Sequence, residues 1–299
     1  MNKLVAVLGG KKAADAFRRT VSGDPTGAPE WSKQMAIGSD IGLFGPNSAV
    51  WEVHGCISTL VGGIRALLMQ AAHPAALTGV AEHSQYDTDP LGRLERTTRW
   101  LTITTFGSTE AIEIEARRVN QLHARVNGTY PAKDGAIQSY SAADPRHLLW
   151  VHCAFTDSFL RAHRELGYPI TRGADEYVRE WSKSATPLGL MKAPQSVFDL
   201  EETISSFVRE EVAAIAMTPP IVKFILSPPF GSGGLFFYRI LANAAIATID
   251  EPFLSVLGLK KRSKLWLKIS RILLDFLSYM LGHESPSQKI ARQRIEALR

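Results

Sequence analysis

Histidines inside apolar helical segments are the residues of this sequence best suited to chemistry. Such segments or their ends contain His73, His83, His123, His152 and His163. A buried imidazole needs either a hydrogen bond or a metal ion for its ring nitrogens. His123 shares a predicted inner helix face with Ala116 and Val119, whose small side chains leave room for a flat macrocycle, and neutral imidazole is a common haem ligand. The residues alone leave open a second interpretation, in which His123 is simply hydrogen-bonded in the core.

Two further positions could assist a cofactor. Arg93 and Thr97 are one helical turn apart and therefore project from one face. Beside a haem, the guanidinium could bind a propionate and the hydroxyl could add a hydrogen bond. Without a haem, Arg93 would be a surface or ion-paired arginine. His152 and His163 are about three turns apart, too far to bind one ion together, so His152 is interpreted either as a structural residue or as a cofactor contact.

Other catalytic chemistries lack their motifs. The sequence contains no Glu-x-x-His or His-Glu-x-x-His pair, no Gly-x-Ser-x-Gly elbow, no P-loop and no Cys-x-x-Cys-His. Cys56 and Cys153 are too few and too far apart for a disulfide scaffold or a zinc site. These chemistries are therefore discounted from spacing alone.

The basic balance of the chain does not indicate a nucleic-acid partner. The formal net charge is +5, and lysine and arginine are spread along the 299 residues except at 260–264. No basic stripe interleaved with aromatics is present. The apolar start is interrupted by Gly9 and Gly10, so we expect no signal peptide and a reducing, cytoplasmic location.

The elements that must position these residues are predicted to be helices, giving an all-α, single-domain protein with a buried haem pocket. Caps, prolines and apolar spacing place helix boundaries at 73–74, 89–90, 108, 128, 144–145 and 167, and further helices near 174–186, 199–217, 233–248 and 264–282. Breaks are expected at 218–220 and 227–229. We divide the chain into an N-terminal arm (1–44), a catalytic domain (45–260) and a C-terminal amphipathic helix (261–299) packed on that domain, with peripheral membrane contact as the alternative for the last segment.

Three stretches carry a family resemblance. They are GGIRALLMQAAHPAALTGVAEHSQYDTDPLGRLERTTRW (62–100), RRVNQLHARVNG (117–128) and YSAADPRHLLWVH (140–152). Together they resemble the catalytic domain shared by latex clearing protein (rubber oxygenase) and the mpaB-type oxygenases, over roughly residues 45 to 260. The most specific feature is the Arg-x-x-x-Thr pair followed by a histidine in a Val-x-x-x-His helix.

The resemblance implies a helical fold and a non-covalent haem b whose iron uses dioxygen to cleave carbon–carbon double bonds of isoprenoid chains. It implies that His123 is the proximal ligand and that Arg93 and Thr97 line the haem site. Arg96 stands where latex clearing protein has a lysine near the distal side, and arginine is a poor iron ligand because it does not readily lose its proton. Glu82 and His83 are candidates for the distal acid or base from their position before Arg93.

These expectations lead to one principal function and two alternatives. The principal function is a haem oxygenase acting on a hydrophobic, unsaturated small molecule with dioxygen, with the electron donor and the oligomeric state not readable from the sequence. Because the chain is shorter than latex clearing proteins and lacks an export signal, extracellular polyisoprene is not the expected substrate. The alternatives are a haem or lipid binding protein without turnover, and a helical interaction protein without a cofactor.

Overall fold

The computed structural model describes residues 15, 18, 19, 24–84, 90–229 and 232–298, excluding the side chains of 90–95 and 232–233. The α-helices are α1 (Ala49–His54), α2 (Thr59–Ala71), α3 (Pro74–His83), α4 (Pro90–Phe106), α5 (Thr109–His123), α6 (Pro145–Glu165), α7 (Ala174–Trp181), α8 (Val197–Glu210), α9 (Thr218–Leu226), α10 (Ser232–Ala247), α11 (Glu251–Leu257), α12 (Leu265–Leu281) and α13 (Pro286–Glu296). Two 3₁₀ helices span Glu30–Ala36 and Ser182–Leu188. One antiparallel hairpin, β1 (Asn127–Pro131) and β2 (Ile137–Ser141), completes the described part. The predicted all-α, single-domain class is confirmed.

The centre of the core is the packing of α2 against α6. A Cβ atom added at Gly62 would lie 2.6 Å from the ring of Phe159, so glycine is needed for this close approach. Arg65 of α2 is fully buried, lies 2.7 Å from Asp157 and donates a hydrogen bond to Ser158 at 2.9 Å. The charges of the two central helices are therefore neutralised inside the core.

Local capping explains several helix boundaries as predicted. His73 is extended before Pro74, and its Nδ1 accepts a hydrogen bond from the Ala76 amide. Ser108 caps α5, and Asp144 caps α6 with Pro145 in its first turn. Gly167 has a φ of 76° just past α6, a conformation that favours glycine. Asp89, the other predicted cap, lies outside the described residues.

Two predicted boundaries are wrong. Helix α5 ends at His123, and Gly128 lies in β1 instead of following the helix. The segment 218–220 is not a break, because its prolines occupy the first turn of α9, where a missing amide proton costs nothing. Leu122, beside His123 at the end of α5, is 44% exposed.

The first 3₁₀ helix and α13 pack together against the end of α4. The first 3₁₀ helix contacts α13 and α4 and buries Trp31 and Met35. Arg294 of α13 is buried and donates hydrogen bonds to the carbonyls of Met35 (2.7 Å) and Phe106 (3.1 Å). Residues before and after the main helical body are thus held by it.

Helix α12 packs on α10 through Leu267, Ser270 and Leu274, and Ser270 donates a hydrogen bond to the carbonyl of Ile240 at 3.2 Å. Among the described residues, no helix combines the length and apolar composition needed to cross a bilayer.

Candidate functional site

The pair predicted to line a haem site lies on α4. Thr97 is partly buried and Arg96 is exposed, whereas the side chain of Arg93 falls outside the described part of the structure. Thr104 follows Thr97 by seven residues and therefore lies on the same helix face. Thr104 is fully buried, and within the described part of the chain its hydroxyl has no hydrogen-bond partner. The sequence analysis did not identify Thr104 as a site residue, although the i, i+4, i+11 spacing of 93, 97 and 104 could have placed it on the same face as Arg93 and Thr97.

His123 is the last residue of α5 and is partly buried. Its Nδ1 is buried without a hydrogen-bond partner among the described residues, which is unusual for a polar ring atom. Burial lowers the pKa of His123, so the imidazole is neutral at neutral pH. A neutral imidazole is the form that binds iron.

His152 of α6 also has a buried ring nitrogen without a hydrogen-bond partner among the described residues. Its ring stacks on Trp181 of α7 with centroids 6.4 Å apart and planes 10° apart. The Nε2 of His152 and the Nε1 of Trp181 are both buried without a partner. Burial lowers the pKa of His152 to about 4. Two unpaired polar atoms therefore lie on one pair of stacked rings.

His54 also contacts Trp181, and the three rings of His54, His152 and Trp181 form one cluster. The sequence did not indicate His54, because the short helix α1 shows no periodic pattern. Its ring lies 4.4 Å from that of Trp181. Its Nδ1 is 2.9 Å from the Thr105 hydroxyl and its Nε2 is 2.9 Å from the Tyr177 hydroxyl. Burial, with the nearby His163, lowers the pKa of His54 to about 3. Because both nitrogens are satisfied, His54 is a packing residue and not a free ligand.

The second 3₁₀ helix connects the His152 side of the molecule to α5. It begins directly after Trp181 and contacts α5, and Asn120 donates a hydrogen bond from Nδ2 to the carbonyl of Pro187 at 3.0 Å. Asn120 precedes His123 by one turn. The segment 181–187 thus links the elements that carry His152 and His123.

A buried carboxylate sets the position of α4 on α5. Glu115 of α5 is fully buried and accepts hydrogen bonds from Arg99 of α4 at 2.9 Å and from Arg118 at 3.0 Å. The helix with the Arg-x-x-x-Thr pair is therefore tied to the helix with His123.

Glu82 and His83 lie together, at the end of α3 and next to the hairpin. The Tyr140 hydroxyl donates to Glu82 at 2.9 Å and lies 3.2 Å from His83 Nε2. Burial and the hydrogen bond to Glu82 raise the pKa of Tyr140. A Cβ added at Gly128 would lie 3.2 Å from Glu82 Oε2, so this polar group borders the strand that follows α5. Among the described residues, no hydrogen bond or ion pair joins this polar group to the ring of His123.

The remaining histidines highlighted from the sequence are satisfied by protein groups. His73 pairs with Glu211 at 2.9 Å and stacks on Trp150. His163 lies 3.0 Å from the Ser58 hydroxyl and 2.7 Å from the Pro169 carbonyl. Among described histidines, buried unpaired nitrogens belong to His123 and His152 alone.

The described residues contain no group of three or more histidines, cysteines or carboxylates that could hold a metal ion. Two cavities, of about 540 and 380 Å³, lie near α13 and are lined by other residues, including Arg18 and Leu281 in one and Ile41 and Arg292 in the other. The buried haem pocket stays a prediction.

Comparison with curated proteins finds no match, and comparison with solved structures finds none. Residues 51–277 match the family described as "ER-bound oxygenase mpaB/B'/Rubber oxygenase, catalytic domain". The matched span covers more than two thirds of the chain and includes α1 to most of α12. The chain therefore belongs to the mpaB and rubber oxygenase catalytic-domain family, as the motifs at 62–100, 117–128 and 140–152 indicated.

Proposed function

We propose that this protein is a haem b-dependent oxygenase that uses dioxygen on a hydrophobic, unsaturated small molecule of isoprenoid type. Family membership supports an oxygenase with a small-molecule substrate. The observation that carries the haem assignment is His123, a neutral imidazole with a buried nitrogen that no described residue satisfies. Leaving such an atom unpaired costs free energy, so a ligand that used the imidazole would remove an existing penalty.

The surrounding residues fit a haem. His123 would bind the iron, the guanidinium of Arg93 would bind a propionate, and Thr97 would add a hydroxyl on the same helix face. The unpaired Thr104 hydroxyl and His152 Nε2 are polar groups available to the cofactor or to a bound ligand. When bound, the haem would supply the iron that activates dioxygen.

The protein itself would position the two helices around the bound group and would hold a proton at the Tyr140 hydroxyl. Glu115 fixes α4 on α5, so the residues of both helices approach a bound group together. Glu82, His83 and Tyr140 form a hydrogen-bonded group in which a proton at the Tyr140 hydroxyl is held by the high pKa of that phenol. This group is the proposed acid–base element, and Arg96 remains a proposed distal contact.

The test is an absorption spectrum of the protein reconstituted with haem. We expect a Soret band in the parent chain and its loss in His123→Ala. Even a residue that only orients a metal ligand is worth about 10–100-fold in affinity, so removing the ligand itself should weaken haem binding by more than about a hundredfold. His283→Ala, which removes an exposed histidine near the C-terminus, is the matched control and should keep the band.

Added imidazole should restore the band in His123→Ala, since it replaces the missing ligand. An unchanged spectrum in that variant, with circular dichroism confirming the fold, would eliminate His123 as the ligand. Oxygen uptake with an unsaturated isoprenoid, compared with its saturated analogue, then separates an oxygenase from a haem-binding protein without turnover. If the protein is colourless and takes up no added haem, the result would favour the alternative of a helical interaction protein without a cofactor.

A further inference from the structure

Helix α12 is apolar on two opposite sides. Its inner side packs on the core through Leu267, Ser270 and Leu274. Its outer side is formed by residues spaced i, i+4, i+7 and i+11, with exposed fractions of 59%, 36%, 72% and 59%: Leu265, Ile269, Ile272 and Phe276. An ordinary surface helix places charged residues opposite its buried side, so this outer stripe needs a separate explanation.

Two further exposed aromatic residues lie on the neighbouring helix. Phe236 and Phe237 of α10 are 64% and 51% exposed. Both precede Ile240 by one turn, and the Ile240 carbonyl accepts a hydrogen bond from Ser270 of α12. Ser270 lies on the buried side of α12, so this bond joins α10 to that side and the two phenylalanines are not counted with the outer stripe. We call the four residues of the stripe, Leu265, Ile269, Ile272 and Phe276, the outer apolar face.

Basic side chains border this face at the start of α12. Lys260, Arg262 and Lys268 are exposed and form no ion pair with any residue in the described part of the chain. By contrast, Lys264 pairs with Glu165 at 3.3 Å, and the carboxylate of Asp275 is occupied by Arg271 at 2.8 Å. The net charge available beside the apolar residues is thus positive.

We propose that the outer apolar face docks on the surface of a membrane containing anionic lipids. An apolar stripe with a basic border matches the two parts of a bilayer surface, since apolar side chains enter the acyl boundary and lysine and arginine meet anionic headgroups. A second copy of the chain fits less well, because a two-fold contact through this face would bring two copies of the same basic border together.

The first test measures co-sedimentation with vesicles of phosphatidylcholine and phosphatidylserine. The parent protein should bind them, and Ile272→Gln/Phe276→Gln should weaken binding by about tenfold or more, because two large apolar side chains no longer leave water. Ile137→Gln/Phe198→Gln is the matched control. Its isoleucine and phenylalanine are each 70% exposed and lie outside the outer apolar face, so their replacement should leave vesicle binding unchanged.

The second test addresses the charges. Each basic residue near an anionic surface strengthens membrane binding by about fivefold. The affinity for the vesicles should therefore fall on the order of a hundredfold in the triple variant Lys260→Gln/Arg262→Gln/Lys268→Gln. Lys183→Gln/Lys192→Gln/Arg209→Gln removes the same charge from exposed positions elsewhere and should lose much less. Vesicles of phosphatidylcholine alone should bind the parent protein weakly.

Three results would overturn the proposal. The parent protein could fail to co-sediment with vesicles that contain phosphatidylserine. The control variants could also lose as much vesicle binding as the test variants. The protein could also be a dimer that Ile272→Gln/Phe276→Gln converts to a monomer, which would assign the face to a second copy. Circular dichroism and thermal unfolding confirm that each variant folds, and none of these readouts depends on haem.

Discussion

At the scale of single residues, the candidate site is defined by polar atoms that the protein leaves unpaired. Thr104 and Thr105 are consecutive and both buried, yet they differ in this respect. The Thr105 hydroxyl bonds His54 Nδ1, while the Thr104 hydroxyl has no partner. A buried polar group without a partner costs about 1–3 kcal/mol, so Thr104 reduces the stability of the protein without ligand.

The two threonines therefore give opposite predictions. Thr104→Val should leave the free energy of unfolding unchanged or raise it by about 1 kcal/mol, because it removes an unsatisfied hydroxyl. Thr105→Val should lower it by about 2 kcal/mol, because His54 loses a buried hydrogen bond. Urea unfolding of the haem-free protein measures both values. Equal losses in the two variants would show that the Thr104 hydroxyl has a partner.

At the scale of elements, the relation between α4 and α5 matters most for the site. Both helices are capped or opened by local signals, but their mutual position depends on Glu115, which is fully buried between Arg99 and Arg118. Removing one partner of a buried ion pair leaves uncompensated charge in the interior.

We expect Glu115→Gln to lower the free energy of unfolding by about 2–3 kcal/mol, at the low end for buried pairs because both arginines can reach water. Haem binding should weaken as well, because α4 is no longer held on α5. Glu113→Gln is the control, since Glu113 is 61% exposed and only 3.9 Å from Arg117, and such surface pairs contribute about 0–1 kcal/mol. Denaturant melts with haem titrations check both effects, and a Glu115 variant as stable as the Glu113 variant would refute the bracing role.

At the scale of the whole molecule, burial of histidines makes the fold sensitive to acid. Burial lowers the pKa of five histidines: to about 3 for His54, to about 4 for His152, and below the ordinary value for His73, His123 and His163. The unfolded chain takes up protons on these rings near pH 6.5, before the folded protein does. Stability is therefore full above about pH 6.5 and falls as the pH drops toward the folded values.

His152 makes this prediction quantitative. With a pKa of about 4 when folded and 6.5 when unfolded, its contribution to the loss of unfolding free energy at pH 5 should be about 2 kcal/mol. His152→Gln should show a correspondingly smaller difference between pH 7 and pH 5 in urea unfolding. His283→Gln, at an exposed histidine, should retain the full difference. Parallel pH dependences in the parent and His152→Gln would disprove the burial argument.

The sequence by itself determined the all-α class, the family and many helix boundaries. Asp144 with Pro145, Ser108 and Gly167 act within one turn of their own helix, so their effect can be read locally. The hairpin escaped prediction because its short strands are mostly exposed and show little alternation. The prolines at 219 and 220 were ambiguous because proline both ends helices and occupies their first turn.

Only the tertiary structure decided which histidines are satisfied. From the sequence, His73, His123, His152 and His163 looked alike, but their possible partners lie up to 138 residues away, as Glu211 does from His73. The same holds for the bond between Arg99 and Glu115 and for the exposed outer side of α12, which depend on how separate helices pack. Local sequence encodes where a helix begins and ends, whereas the satisfaction of a buried polar atom is a property of chain segments that meet only after folding.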